Sequence, residues 1–120
     1  MNRKELGTWG EDLAAQYLRR RGYRILERNY SCRFGEIDLI AAKGGFVCFV
    51  EVKLRKNADF AEAREFVTYA KQRRILTSAN LWLAAHEMEL QPRFDVVEIY
   101  APEGENTRRA RIQHLENAFS

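Results

Sequence analysis

The sequence predicts an α/β domain with one mixed β-sheet, element order α-β-β-β-α-β-β, and helices packed on it. Three observations carry this. Two apolar, β-rich runs, Arg33 to Ala42 and Phe46 to Arg55, are separated only by Lys43, Gly44 and Gly45, which is a hairpin signal. Trp9, Leu13, Ala14, Tyr17 and Leu18 recur at helical spacing, as do Ile75, Leu76, Ala79, Trp82 and Leu83. The 120 residues, 46% of them hydrophobic, suit a single compact domain over 1–120 with a substantial core.

Taken in order, the first helix is expected from about Thr8, because Thr8-Trp9-Gly10-Glu11 has capping-box spacing. Gly22 stops it after Arg19-Arg20-Arg21. A strand follows from Tyr23 to about Tyr30, and then the hairpin. Lys56 to Glu65 is polar and irregular apart from Phe60; it reads as a loop long enough to form a flap over a site. The second helix begins near Thr68 and runs to about His86. Pro92 marks a break, Arg93 to Ala101 reads as a strand, Pro102 to Thr107 as a turn, and Ala110 to Leu115 as a weak last strand.

Composition narrows the function classes. The net charge is only +3, so the chain is no histone-like polycation, but its positive residues cluster at Arg19-Arg20-Arg21, Lys53 to Lys56, Lys71 to Arg74 and Arg108 to Arg111. Such clusters bind phosphate backbones or form solvated faces. The two cysteines, Cys32 and Cys48, lack CxxC spacing and give no zinc site or disulfide framework. Cys48 falls on an apolar face and reads as a small buried hydrophobe. Met1-Asn2-Arg3-Lys4-Glu5 is charged, and no stretch approaches the roughly 20 apolar residues of a membrane span. A cytoplasmic location without a membrane partner is expected.

The hairpin holds the chemistry. If the loop is Gly44-Gly45, Lys43 pairs with Phe46. The constant register then sets Asp38 opposite Glu51 and Glu36 opposite Lys53, all on one face with Ile40, Val47 and Phe49. Ile37, Leu39, Cys48, Val50, Val52 and Leu54 take the other. A hairpin apolar on both faces belongs inside a covered sheet. Opposed carboxylates there repel across about 5 Å between β carbons. Burying them costs several kcal/mol unless they are paired or bound to metal. A divalent cation between Asp38 and Glu51 resolves the repulsion. The bland alternative is a solvated pair at the wet end of the hairpin, with Lys53 in a plain salt bridge.

Asp38 followed on the next strand by Glu51-Val52-Lys53 resembles the PD-(D/E)xK nuclease signature, with Ile37 where its proline would stand. Gly7-x-x-Gly10-Glu11, Phe34-Gly35-Glu36-Ile37-Asp38-Leu39-Ile40, Phe49-Val50-Glu51-Val52-Lys53-x-Arg55, Lys71-Gln72-Arg73-Arg74 and Arg93-Phe94-Asp95-Val96-Val97 together resemble the YraN-like family of small bacterial proteins over almost the whole chain. Through that family's similarity to restriction endonucleases and Holliday-junction resolvases, the resemblance implies a restriction-endonuclease-like fold and metal-dependent hydrolysis of DNA. It places Mg²⁺ or Mn²⁺ on Asp38 and Glu51, with the backbone carbonyl of Val52 as a further ligand. Such ions take oxygen ligands, usually one or two carboxylates plus water and phosphate. Lys53 reads as an electrostatic helper that holds the attacking water or steadies the extra phosphate charge.

Other candidates keep two readings each. Glu11 either closes its own helix as a capping-box residue or, as in the resolvase-like relatives, joins the metal site. Gly10 beside it costs about 1 kcal/mol against alanine in a helix, which points to a close backbone approach. Glu36 either supports the site from behind or pairs with Lys53 or Arg55. Gln72 either reaches the site, as a helix glutamine or lysine does in relatives, or is a part-exposed first-turn residue. Arg55, Lys56, Lys71, Arg73 and Arg74 are candidate phosphate contacts. His86 and His114 read as surface histidines, and Asp95 as a loop cap without assigned chemistry. The leading reading is a metal-dependent endonuclease acting on DNA, with branched DNA as the analogous substrate. A symmetric homodimer would use Phe60, Phe66 and Phe119. The alternatives are a non-catalytic nucleic-acid-binding module of the same fold and an adaptor domain with a buried ionic network.

Overall fold

The computed structural model describes residues 2–56 and 67–120. The elements are α1 (Arg3–Arg20), β1 (Arg24–Cys32), β2 (Gly35–Lys43), β3 (Phe46–Arg55), α2 (Tyr69–His86), β4 (Gln91–Tyr100) and β5 (Arg111–Phe119), the expected α-β-β-β-α-β-β order. They build one five-stranded sheet, β1-β2-β3-β4-β5. Neighbours are antiparallel except β3 and β4, which run parallel. A parallel pair needs a crossover, and α2 lies within it. The expected flap, with Phe60 and Phe66, lies outside the described residues beyond Lys56.

Helices cover both faces. On one, Ala14, Ala15 and Leu18 of α1 meet Leu39, Ala41, Cys48, Val50, Val97 and Ile99. On the other, Ile75, Ala79 and Trp82 of α2 meet Ile37, Ile40, Val47, Phe49, Phe94 and Val96. The hairpin is therefore apolar on both sides because both sides are buried. Lys43 pairs with Phe46, and the register runs unbroken to Leu39 opposite Val50. Gly44 takes φ 57°, the left-handed conformation a two-residue hairpin turn demands.

Several expectations are corrected. The helix α1 starts at Arg3, not near Thr8: the Asn2 side chain accepts from Glu5 N at 2.8 Å and donates to Glu5 Oε1 at 3.0 Å. Asn2 and Glu5 thus form the cap, with the same spacing as Thr8 and Glu11. Thr8 is interior, its hydroxyl bonded to the Lys4 carbonyl. Ile37 joins the α2 side rather than the α1 side. The change of side falls where β2 loses its β3 partner, beyond Leu39 opposite Val50. The strand β4 runs through Pro92, and β5 continues to Phe119. Phe119 stacks on Phe94 with ring centroids 5.4 Å apart, so it belongs to the core and not to a free apolar patch.

Among the described residues no helix is long and apolar enough to cross a membrane.

Candidate active site

Where the β2–β3 pairing ends, the strands part. The next pair in register would be Asp38 and Glu51, and here the Asp38 carboxylate accepts the Val52 backbone N–H at 2.8 Å. Glu51 is buried on the α2 side of β3. Lys53, two residues on, places Nζ 3.4 Å from Glu51 Oε1. The first turn of α2 brings Lys71 to the same oxygen, 2.5 Å away. Gly35, Glu36, Asp38, Glu51, Lys71 and Arg74 line a cavity of about 340 Å³ over the pair, closed by Ile75.

The sequence places Lys71 there through a cap. Thr68 accepts from Lys71 N at 3.2 Å, which fixes Lys71 as the third residue of α2. A cation in a first turn opposes the helix dipole, and no acidic residue stands there. That unfavourable lysine was the signal in the sequence that an acid lay opposite. It marks Lys71 as a member of the site and not only a phosphate contact.

The electrostatics follow from burial. Asp38 is pushed up to about 7, first by burial and then by the Glu51 charge, against the pull of the Val52 N–H. Burial also pulls the Lys53 ammonium down, and Lys71 adds to this against the attraction of Glu51. For Lys71 the hydrogen bond and charge of Glu51 outweigh burial and raise it. Without a metal, the pair is therefore held by a shared proton load on Asp38 and two ammonium groups on Glu51.

Glu11, freed from capping, is not among the residues that line the cavity; its carboxyl hydrogen-bonds with Asn29. Burial raises its carboxyl, a hydrogen bond with Asn29 and the Arg28 charge lower it, and Glu36 raises it. Its charge also acts on Asp38. Gly10 beside it does make the expected close approach, as a β carbon there would meet Leu54 Cδ1 at 3.1 Å. Glu36 lines the cavity and has no ion pair among the described residues, since Lys53 is turned to Glu51 and Arg55 lies 3.9 Å from Glu98 Oε2. Gln72 is not brought into the cavity. Its amide donates to the Val67 carbonyl at 2.8 Å, closing the entry to α2. Arg73 and Lys56 are exposed. Glu98, buried with a hydrogen bond from the Tyr100 hydroxyl at 2.8 Å, escaped the sequence reading. Its signal was an acid within the apolar run Val96 to Ile99.

Asp95 and His114 prove to be partners. Asp95 is fully buried and accepts from Arg93 Nε at 3.0 Å, Arg93 Nη2 at 2.8 Å and Asn117 N at 3.0 Å. His114 Nε2 lies 2.7 Å from Asp95 Oδ2. The loop-cap role for Asp95 and the surface role for His114 are thus replaced by a buried tie between β4 and β5. His86 is exposed and stacks on Trp82 at 3.9 Å.

Among the described residues no three histidine, cysteine, aspartate or glutamate side chains form a metal-binding group. Asp38 and Glu51 are two carboxylates, the number a largely hydrated Mg²⁺ takes from protein. Their repulsion is what a cation would relieve.

The mixed sheet between two helices, with a carboxylate–lysine cavity at the mouth of a hairpin, defines an α/β domain with a titratable site. Within that class the chain belongs to the family described as Uncharacterised protein family UPF0102, which matches residues 10–99. It is 42% identical over 120 residues to a UPF0102 protein of Caldanaerobacter subterraneus, covering 99% of this chain and 98% of that one. It is 45% identical over 120 residues to one of Syntrophomonas wolfei, covering 99% and 100%. With one of Myxococcus xanthus it shares 40% over 118 residues, covering 98% and 90%. These names carry a family and no activity.

Proposed function

We propose that the protein is a metal-dependent endonuclease that hydrolyses DNA phosphodiester bonds. The observation that supports this most is the buried Glu51 and the half-buried Asp38 on one cavity, with Lys53 and Lys71 converging on one oxygen of Glu51. A pure binder of phosphate gains nothing from buried carboxylates facing its ligand. Asp38, Glu51 and the Val52 carbonyl would hold Mg²⁺ or Mn²⁺, and Glu11 would reach the ion through water. Such an ion acidifies its bound water and neutralises the phosphate in the transition state. Lys53, its ammonium weakened by burial, holds the attacking water or steadies developing charge. Lys71 orients Glu51. Arg74 at the cavity and the exposed Arg73 and Lys56 meet neighbouring phosphates. Branched DNA is the substrate proposed, by analogy with resolvases, and a homodimer would present two sites to it.

A second reading is a non-catalytic nucleic-acid-binding module. It is favoured by the same Lys71, which satisfies Glu51 without any metal. Nicking of supercoiled plasmid and of a synthetic four-way junction, with Mg²⁺, Mn²⁺ or EDTA, separates the two. The nuclease reading expects metal-dependent cleavage that Lys53→Ala and Asp38→Asn both abolish. Salt-sensitive binding with no cleavage of either substrate supports the module instead.

A further inference from the structure

We propose that the hollow between the C-terminal end of α1, the Gly44–Gly45 turn and β5 is a phosphate-binding pocket, with Arg20, Arg21 and Lys43 supplying charge and His114 a fixed ring nitrogen at its floor. The cavity measures about 400 Å³ and is bordered by Tyr17 and Tyr23. It is built from residues other than those of the carboxylate–lysine cavity and does not depend on what that cavity does.

The floor is rigid for a reason. Asp95 holds Nε2 of His114, so that nitrogen carries the proton of the bond and Nδ1 is the one left for a ligand. The His114 side chain is only 6% exposed. Its ring meets the Tyr17 and Tyr23 rings edge-on, with centroids 6.0 and 5.8 Å away. The Arg93 guanidinium, bound to Asp95, also donates to the Tyr23 hydroxyl at 2.7 Å, which locks that wall. A buried carboxylate, imidazole, guanidinium and phenol therefore fix the His114 ring that lines the hollow.

The rim is cationic and already positioned. The Arg21 guanidinium sits 4.3 Å over the Tyr17 ring, and Lys43 Nζ sits 5.2 Å over the Tyr23 ring. Among the described residues, none of Arg20, Arg21 and Lys43 has a carboxylate partner. Glu116 is the carboxylate on the lining. It is 59% exposed and turned toward Arg93 at 3.8 Å and the Tyr23 hydroxyl at 3.4 Å. The helix dipole accounts for arginines at the end of α1. It does not account for Lys43, which comes from the hairpin, or for the buried dyad beneath. Three cations against one carboxylate suit a multiply charged anion. Phosphate oxygens match guanidinium forks and ammonium donors, and a protonated phosphate oxygen can donate to Nδ1.

The phosphate would belong either to a nucleic-acid backbone or to a free phosphate or phosphate ester. The test titrates inorganic phosphate into the full-length chain while following the His114 ring nitrogens and the Arg20, Arg21 and Lys43 resonances by NMR. The proposal expects a saturable shift at His114 Nδ1 at millimolar phosphate. It expects binding about tenfold weaker in Arg21→Gln/Lys43→Gln, from the loss of charge-assisted hydrogen bonds. Asp38→Asn should bind phosphate as wild type does, which keeps this result apart from the fate of the nuclease reading. Duplex DNA that displaces phosphate, with a shallower salt slope in the double variant, identifies the backbone as the source. An unchanged DNA salt slope alongside lost phosphate binding identifies a free phosphate or ester, and supports the pocket equally. No saturable shift, or the same shift in a double variant that unfolds like wild type, overturns the proposal.

Discussion

Lys71 Nζ lies 2.5 Å from Oε1 of Glu51, so the first turn of α2 is tied to the middle strand of the sheet. The same oxygen meets Lys53 at 3.4 Å. Removing one partner of a buried ion pair typically costs about 3–5 kcal/mol, and here Lys53 remains to soften the loss. Lys71→Met is therefore expected to lower stability by about 2 kcal/mol in urea unfolding without metal. A metal at the site would replace the missing charge, so Mg²⁺ should restore more stability to Lys71→Met than to wild type. An unchanged midpoint in the variant would show that the link does not hold Glu51.

Asp38 ties stability to pH. Its carboxyl titrates at about 7 in the folded chain against an ordinary value of 3.8. The folded state thus binds more protons than the unfolded state between these values. The stability from this group is fully present below the ordinary value and is lost as pH rises through about 7. Thermal unfolding of the metal-free protein should show this decline, and Asp38→Asn should flatten it. An Asn oxygen can still accept the Val52 N–H, so the variant should be as stable as wild type or more stable at neutral pH.

Metal binding should reverse that trend. An ion that binds only the folded chain adds about 2.7 kcal/mol at one hundred times its dissociation constant. The expected result is a rise in melting temperature with Mn²⁺ that is absent in Asp38→Asn and Glu51→Gln. Calorimetry below about pH 7 should also show proton release, because Asp38 must ionise to bind. A rise of equal size in both variants would move the ion elsewhere.

Asp95 is the stability hub of the other face. Asp95→Ala would leave Arg93, the His114 ring and the Asn117 N–H without their shared acceptor. Stranding a buried charge in this way should cost about 3–5 kcal/mol. Asp95→Asn, which keeps one acceptor oxygen, should lose less, and guanidinium unfolding would rank the two.

The hairpin could be read from sequence because a two-residue glycine turn permits one register, and period-two alternation then fixes the faces. That register holds from Lys43 opposite Phe46 to Leu39 opposite Val50 and stops, so the expected pairs of Asp38 with Glu51 and Glu36 with Lys53 do not form, and Asp38 reaches the site by accepting the Val52 N–H. The reading failed where two local solutions matched equally well. Asn2…Glu5 and Thr8…Glu11 share a spacing, and only the longer helix lets α1 extend to Arg3. It also failed for Ile37, which lies beyond the end of the β2–β3 ladder, where strict alternation no longer fixes the face. The Asp95–His114 bond joins residues on two strands that each looked unremarkable, and no local pattern encodes that meeting.

The two glycines of Gly7-x-x-Gly10 separate helix propensity from packing. Both lie inside α1, where alanine is worth about 1 kcal/mol over glycine. A β carbon at Gly7 meets nothing within 4 Å, so Gly7→Ala should gain most of that increment. At Gly10 it would meet Leu54 Cγ and Cδ1 at 3.1 Å, where either the leucine or the helix must move. Overpacking of that kind costs about 1–3 kcal/mol, which cancels or exceeds the propensity gain. Gly10→Ala is therefore expected to be neutral or destabilising, and Gly10→Val clearly destabilising. If Gly10→Ala stabilised as much as Gly7→Ala, Leu54 would be free to swing aside and the close approach of α1 to β3 would not constrain Glu11 beside it. Paired urea titrations of the two alanine variants decide the sign.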